Sequence, residues 1–319
     1  MTKVYTFGAS AVLALLAAGS VRAENTSCTS APPHGDNYLA NSWRLKADCL
    51  PLSELIAYRP SYVMFRSSSA PNRVPSSPAP GHSVSQAYPW ESKELKFQLS
   101  FKAELYAPNQ ATEDFPLFAK ALPCTTPRIW FAFTQQSNWQ IFNGAESRPF
   151  RESNYEPEVI FSCGFAREDV AELYNLGISH QSNGRSEPDS RSWWRAYLQY
   201  GRGKGDEALL ARMWSIIGRD KLTDDNPDIT EHLGRFDLVW RSELKPGPGP
   251  GYPLQVLLRH NLKANPSREF VQLDLGLMSF GNSNTARLHL QLTSGFGESL
   301  IDYNHRQTTL GIGFSFGTW

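Results

Sequence analysis

From residue 95 onward, apolar and polar positions alternate along most of the chain. In KFQLSFKAELY (96–106), Phe97, Leu99, Phe101, Ala103 and Leu105 alternate with Lys96, Gln98, Ser100, Lys102 and Glu104. A period of two marks a strand with one apolar and one polar face. The pattern returns at Ile129, Phe131 and Phe133, at Leu176 and Ile178, and at Trp194, Ala196, Leu198 and Tyr200. It continues at Phe236, Leu238 and Trp240, and at Val271, Leu273, Leu275 and Leu277. Leu288, Leu290 and Leu292, then Leu310, Ile312, Phe314 and Phe316, complete it. With SYVMFRSS (61–68) as a first strand, the chain predicts about a dozen strands of roughly ten residues. Turn-rich breaks such as GRGKGD (201–206) and KPGPGPG (245–251) separate them. Residues 24–60 show no clear period. The stretch 67–88 is a Ser/Pro-rich loop, and 108–128 reads as a longer loop.

A soluble sandwich of short strands could carry this pattern. So could a transmembrane antiparallel β-barrel, with apolar residues outward and polar residues inward. Three features favour the barrel. Residues 1–23 (MTKVYTFGASAVLALLAAGSVRA) combine a basic start, an apolar core and a small-x-small end at Ala23, which is the form of a cleavable signal peptide. Aromatics gather near strand ends at Trp139, Tyr155, Trp193, Trp194, Tyr200, Trp214, Trp240 and Tyr252, as interfacial girdles require. The last strand closes in Phe314, Phe316 and Trp319, although Trp319 is out of phase. The expected organisation is a signal peptide (1–23), a periplasmic-side N-terminal segment (24–60) and an all-β barrel (61–319) in an outer membrane.

Composition narrows the function. The 319 residues carry 31 Lys+Arg against 31 Asp+Glu, so net charge argues against nucleic-acid partners. Charged residues are 19% and aromatics 12%, and no apolar run past residue 23 is long enough for a spanning helix. Export permits disulfides. Cys28 and Cys49 share the N-terminal segment, where a pairing between them is open, while Cys124 and Cys163 carry no assignment. No CxxC or Cys/His metal spacing occurs.

One segment carries chemistry. In YNLGISHQSNGRSEPDSRSWWR (174–195), Tyr174, Leu176 and Ile178 form an apolar even row that His180 and Ser182 continue. A His and a Ser are costly at a lipid boundary unless needed there. A base beside a hydroxyl is the minimal nucleophile unit, and on this face its substrate would be a bilayer lipid reached sideways. No G-x-S-x-G elbow is present.

The string HQSNGRSEPDSRSWWR (180–195) closely resembles the signature of the outer-membrane phospholipase A family. SRPFRESNYEPE (147–158), TDDNPDIT (223–230) and SGFGESLIDYN (294–304) are further matching stretches in the family's order, and the resemblance runs from about residue 95 to the end, more weakly from 58. It implies a twelve-stranded barrel that hydrolyses phospholipid acyl esters (A1, A2 and lysophospholipase activity), needs Ca²⁺ and works as a homodimer. Carried over by residue, it implies Ser182 as nucleophile and His180 as proton acceptor. The carbonyl of Arg185, together with Ser190 and Asp225, would hold calcium. Ser147 would be contributed to that site by the second subunit, and Gln135 would make a dimer contact. Calcium takes hard oxygen ligands, and beside Ser182 it would stabilise the developing oxyanion together with a backbone N–H near Gly184.

One position departs from the family. The residue that orients the catalytic His is there an Asn in SRSWNR, whereas this chain reads SRSWWR with Trp194 in that place. Indole donates one N–H and accepts nothing, so it cannot receive the imidazole N–H. One alternative to a working phospholipase is therefore a barrel weakened or silenced by Trp194, and a separate one, open to any barrel, is a small porin.

Overall fold

The computed structural model describes residues 37–45, 55–107, 124–167, 169–220, 223–247, 251–280 and 286–317. The expected signal peptide, Cys28, Cys49, most of the 108–128 loop and Trp319 lie outside the described residues.

Twelve antiparallel strands close on themselves. They are β2 (Ser61–Ser68), β3 (Lys93–Tyr106), β4 (Arg128–Trp139), β5 (Phe150–Arg167), β6 (Val170–Ser182), β7 (Ser192–Lys204), β8 (Glu207–Ile217), β9 (Phe236–Leu244), β10 (Tyr252–His260), β11 (Glu269–Phe280), β12 (Ala286–Phe296) and β13 (Arg306–Phe316). Each pairs with its neighbour in sequence, and β13 returns to pair with β2, so no edge of the barrel is left open. A short β1 (Leu55–Ala57) pairs with the far end of β3. Between β1 and β2, Pro60 has no N–H to give the ladder. Ser100 bridges the gap: its hydroxyl accepts from Arg59 N–H and its N–H donates to Ser61 Oγ.

The alternation expected from sequence is the alternation observed. Phe97 and Phe101, Leu176 and Ile178, Leu198 and Leu310 point outward, while their neighbours point into the lumen. Two details differ. A bulge between Gly276 and Ser279 inserts one residue in β11, so beyond it Met278 and Phe280 face outward in place of the row through Leu275. Trp193 and Trp214 are not part of an outer girdle. Both are buried in the lumen, where Trp193 Nε1–H donates to Gln181 Oε1 and the two rings pack edge to face. Of the other outward aromatics, Trp139, Tyr155 and Trp194 lie toward one end and Tyr174 and Tyr200 toward the other, while Trp240 lies in the middle of β9.

The lumen is polar and crosslinked. Lys96 Nζ lies 2.7 Å from Glu298 and donates to Gln291, Arg66 reaches Glu298 at 2.6 Å, and Arg151 joins Glu94 at 2.6 Å to Asp302 at 2.8 Å. Paired in this way, buried charges hold each other in place of water. Glu298 and Asp302 come from the β12–β13 connection, which folds into the barrel rather than over it. A cavity of about 220 Å³ remains among Arg59, Glu156, Arg195, Arg212 and Arg259.

The helix α1 (Tyr38–Trp43) packs on β6, β7 and β8 at the end away from the 183–191 loop. Asn37 caps it, its Oδ1 accepting from Ala40 N–H, while its Nδ2 donates to the Asp169 carbonyl. Leu39 and Trp43 insert into the lumen, and the Trp43 ring covers the buried Lys102 ammonium at 3.3 Å. A disulfide joins Cys124 to Cys163 beside this plug. A second short helix, α2 (Ile229–Leu233), lies in the β8–β9 connection at the opposite end.

Candidate active site

The β6–β7 hairpin builds the site. Its register sets His180 opposite Trp194 and Ser182 opposite Ser192, and Tyr155 of β5 flanks Ser182 on the other side. His180 and Ser182 are half-buried on the outer face, in line with the exposed Leu176 and Ile178. The pair therefore stands where the apolar wall ends and the loop begins. Trp194 is 48% exposed on the same wall. Its ring centroid lies 4.5 Å from that of His180, with the planes tilted by 35°. Among the described residues, no protein group hydrogen-bonds the His180 ring or the Ser182 hydroxyl.

The loop after the nucleophile is knitted by Asn183. Its Oδ1 accepts from Arg191 N–H at 3.0 Å and from Arg185 N–H at 3.3 Å, and its Nδ2 donates to the Asp189 carbonyl at 2.8 Å. Gly184 follows at φ +64°, a backbone region that a side chain would strain. Arg185 extends its guanidinium to the carbonyls of Phe150 and Arg151, tying the loop to the start of β5. The buried Arg191 donates to the carbonyls of Pro188, Ser190 and His82.

Three segments meet on Asp225. Ser190 and Ser192 both donate to its Oδ2, at 2.8 Å and 3.1 Å. From the Ser/Pro-rich loop, His82 Nε2 lies 3.2 Å from its Oδ1, and the Ser77 hydroxyl donates to its backbone carbonyl. Asn226 accepts from Ser192 N–H and fixes the start of β7 to the same connection. Further along, Asp228 accepts from Tyr303 and contacts His232 at 3.2 Å. Burial alone would raise the Asp228 carboxyl, but these two bonds hold it below its ordinary value.

Of the residues expected from sequence, Ser190 and Asp225 are in direct contact, and Arg185 belongs to the same loop as Ser190. Ser147 is elsewhere in the chain. It sits exposed at φ +60° in the β4–β5 hairpin, at the same end of the barrel. Gln135 lies on the outer row of β4 with Phe131 and Phe133, opposite Tyr155, as a polar interruption of the wall. Ser192, Asn183, Asp189 and His82 were not singled out from sequence. The Asn–Gly pair at 183–184 is a turn signal that could have drawn attention to Asn183, whereas nothing local ties His82 to Asp225.

The donor chemistry around Ser190 fits a hard divalent cation. Ser190 Oγ, the Asp225 carboxylate and the loop carbonyls are all oxygens, and among the described residues the buried Asp189 Oδ1 has no hydrogen-bond partner. It is not a carboxylate cage, since no group of three His, Cys, Asp or Glu side chains converges among the described residues.

A closed twelve-stranded barrel with an apolar exterior and a polar lumen is the architecture of an outer-membrane protein, and this one carries His180 and Ser182 on its outer wall. A sequence profile described as Phospholipase A1 matches residues 40–316. Phospholipase A1 of Escherichia coli K12 is 34% identical over 235 residues, 71% of this chain and 72% of that protein. Two solved structures have the same fold. Outer membrane phospholipase A from E. coli matches with a TM-score of 0.64 and 29% identity, over 82% of this chain and 94% of that one. The Salmonella typhi outer membrane phospholipase, a dimer with bound calcium, matches with a TM-score of 0.65 and 30% identity, over 83% and 92%. The chain belongs to the phospholipase A1 family of ester hydrolases.

Proposed function

We propose that this protein hydrolyses the acyl esters of membrane phospholipids at the outer membrane, with calcium and as a homodimer, after removal of a signal peptide near Ala23. The observation that carries the reading is the outward placement of His180 and Ser182 at the rim of the apolar wall, next to the oxygen cluster of Ser190 and Asp225. A phospholipid reaching the pair sideways in the bilayer presents its ester at headgroup depth, where a strand leaves the wall.

In the reaction, His180 takes the proton of Ser182 as Oγ attacks the acyl carbonyl. The carbonyl oxygen becomes an oxyanion, toward which the Gly184 N–H would donate, the Asn183 N–H being held by the Arg191 carbonyl. His180 then gives the proton to the departing alcohol oxygen, and the lysophospholipid leaves. Water, deprotonated by His180, frees the fatty acid from Ser182. Arg185 through its carbonyl, Ser190 and Asp225 would hold calcium, with Ser147 arriving from the second subunit. Calcium held by these residues would supply positive charge that stabilises the developing oxyanion. Gln135 would pair across the same dimer contact.

A second reading, a weakened or silent barrel, is favoured by Trp194 alone, because indole offers His180 no acceptor. The porin alternative is disfavoured by the salt-bridged lumen and by the inserted α1 and β12–β13 connection.

The test is turnover of phosphatidylcholine in mixed micelles with added Ca²⁺. The wild-type protein is expected to exceed Ser182→Ala by at least about 10³-fold, and to fall to that level with chelator. Turnover no better than Ser182→Ala overturns the reading.

A further inference from the structure

Trp194 is the residue whose side chain lies against the His180 ring, and its indole can accept no hydrogen bond from the imidazole N–H. Resting on the phospholipase reading, we infer that Trp194 is the positioning residue of this site: its indole face packs against His180, holding the ring on the side of Ser182 and favouring the imidazolium that forms during attack. The juxtaposition is direct. The two residues are ladder partners, with ring centroids 4.5 Å apart and planes tilted by 35°. The contact with Trp194 is the ring contact described for His180, and among the described residues no hydrogen bond competes with it.

Two physical consequences follow from that geometry. A ring lying against the imidazole removes rotamers that would swing His180 off the wall toward lipid, and limits the entropy lost on reaching the reactive arrangement. An aromatic face within about 6 Å of a cation attracts it, most strongly for Trp and at partly desolvated sites. His180 is neutral before attack and cationic during it, so the attraction grows along the reaction and acts on kcat rather than on binding. An amide orienter works through a directed hydrogen bond, whereas the indole works through a face. A second aromatic should therefore replace it, and an aliphatic of similar bulk should not.

The experiment compares the refolded full-length wild type with Trp194→Phe, Trp194→Leu, Trp194→Asn and Ser182→Ala, each with saturating Ca²⁺ and graded phosphatidylcholine in mixed micelles. Heat-modifiable migration on gels identifies the folded fraction used for kcat. Trp194→Phe should keep kcat within about threefold, and Trp194→Leu should lose about tenfold in kcat with KM within about twofold. The rate of Ser182 sulfonylation by a serine-reactive sulfonyl fluoride, which needs the base but no lipid site, should follow the same order. An unchanged kcat in Trp194→Leu overturns the inference, as does a loss carried by KM, which would make Trp194 an acyl-chain contact. A kcat in Trp194→Asn several-fold above wild type overturns it too, because the indole would then be an impairment. These outcomes leave the phospholipase reading standing. Wild-type turnover equal to Ser182→Ala removes that reading, and this one with it.

Discussion

Ser190 donates its hydroxyl to Asp225 across 2.8 Å, joining the loop that follows the nucleophile to the β8–β9 connection. Ser192 converges on the same carboxylate oxygen, so one Asp sets the position of two hydroxyls on either side of Arg191. If this cluster holds calcium, Asp225→Asn should raise the Ca²⁺ needed for half-maximal turnover by about 10- to 100-fold, with a smaller effect on the rate at saturation. A calcium titration of activity checks it, and isothermal titration with Ca²⁺ on the detergent-solubilised protein provides an independent reading.

Ser147 is exposed in the β4–β5 hairpin and makes no side-chain bond with Ser190 or Asp225 of its own chain. A residue that completes its partner's site should complement in trans. Ser147→Arg and Ser182→Ala should each be nearly inactive alone. Refolded together in equal amounts they should regain about a quarter of wild-type turnover, the share of sites with both residues intact under random pairing. Absence of recovery, with dimers shown by crosslinking, would place Ser147 outside the site.

Glu298 sits in the lumen between Arg66 and Lys96. Burial alone would raise its carboxyl, but the two cations hold it at about 2, down from 4.5. A depressed carboxylate stabilises the fold fully above its unfolded pKa, and that stability disappears as pH falls through its folded one. Glu298→Gln should cost about 3–5 kcal/mol at pH 7, by leaving Lys96 and Arg66 short of a counter-charge. The gap between variant and wild type should narrow as pH drops from about 4.5 toward 2. Urea unfolding followed by tryptophan fluorescence at several pH values measures it.

The Cys124–Cys163 disulfide fastens the approach to β4 onto β5, where Thr125 and Thr126 N–H groups also bond the Gly164 carbonyl. Cys124→Ser should destabilise the barrel by about 2–4 kcal/mol without changing kcat, since the bond lies at the end opposite His180. Reductant should reproduce the loss in wild type and destabilise the variant by less.

Much of this molecule is legible in its sequence because a two-residue period survives averaging over any strand. Phe97 through Leu105 and Leu310 through Phe316 announce their faces directly, and the same parity puts His180, Ser182 and Trp194 on one outer row. Other features depend on contacts between residues far apart in the chain. The α1 plug is six residues, too short to show a helical period, and it exists because Leu39 and Trp43 find a lumen to fill. The bulge in β11 resets parity without a local mark, since Leu277 reads as one more outward residue until the ladder is seen. Trp193 and Trp214 look like girdle residues because aromatic content near strand ends does not say which face is meant. Cysteine pairing and the reach of His82 to Asp225 span 39 and 143 residues, and no spacing rule connects such positions.

The salt-bridged lumen inside a greasy wall reverses the usual map of mutational tolerance. In a water-soluble protein, a random library spares the outside and punishes the inside for lost apolar volume. Here Leu198, Leu310 and Ile312 should accept almost any apolar residue and reject a charge, at about 2–4 kcal/mol near mid-membrane. Glu94, Arg151 and Asp302 should reject apolar and polar replacements alike, because each holds another's charge. Plotted on the barrel, the variants that survive selection would trace a photographic negative of a soluble fold, broken on the outer wall only at the rim, around His180 and Ser182.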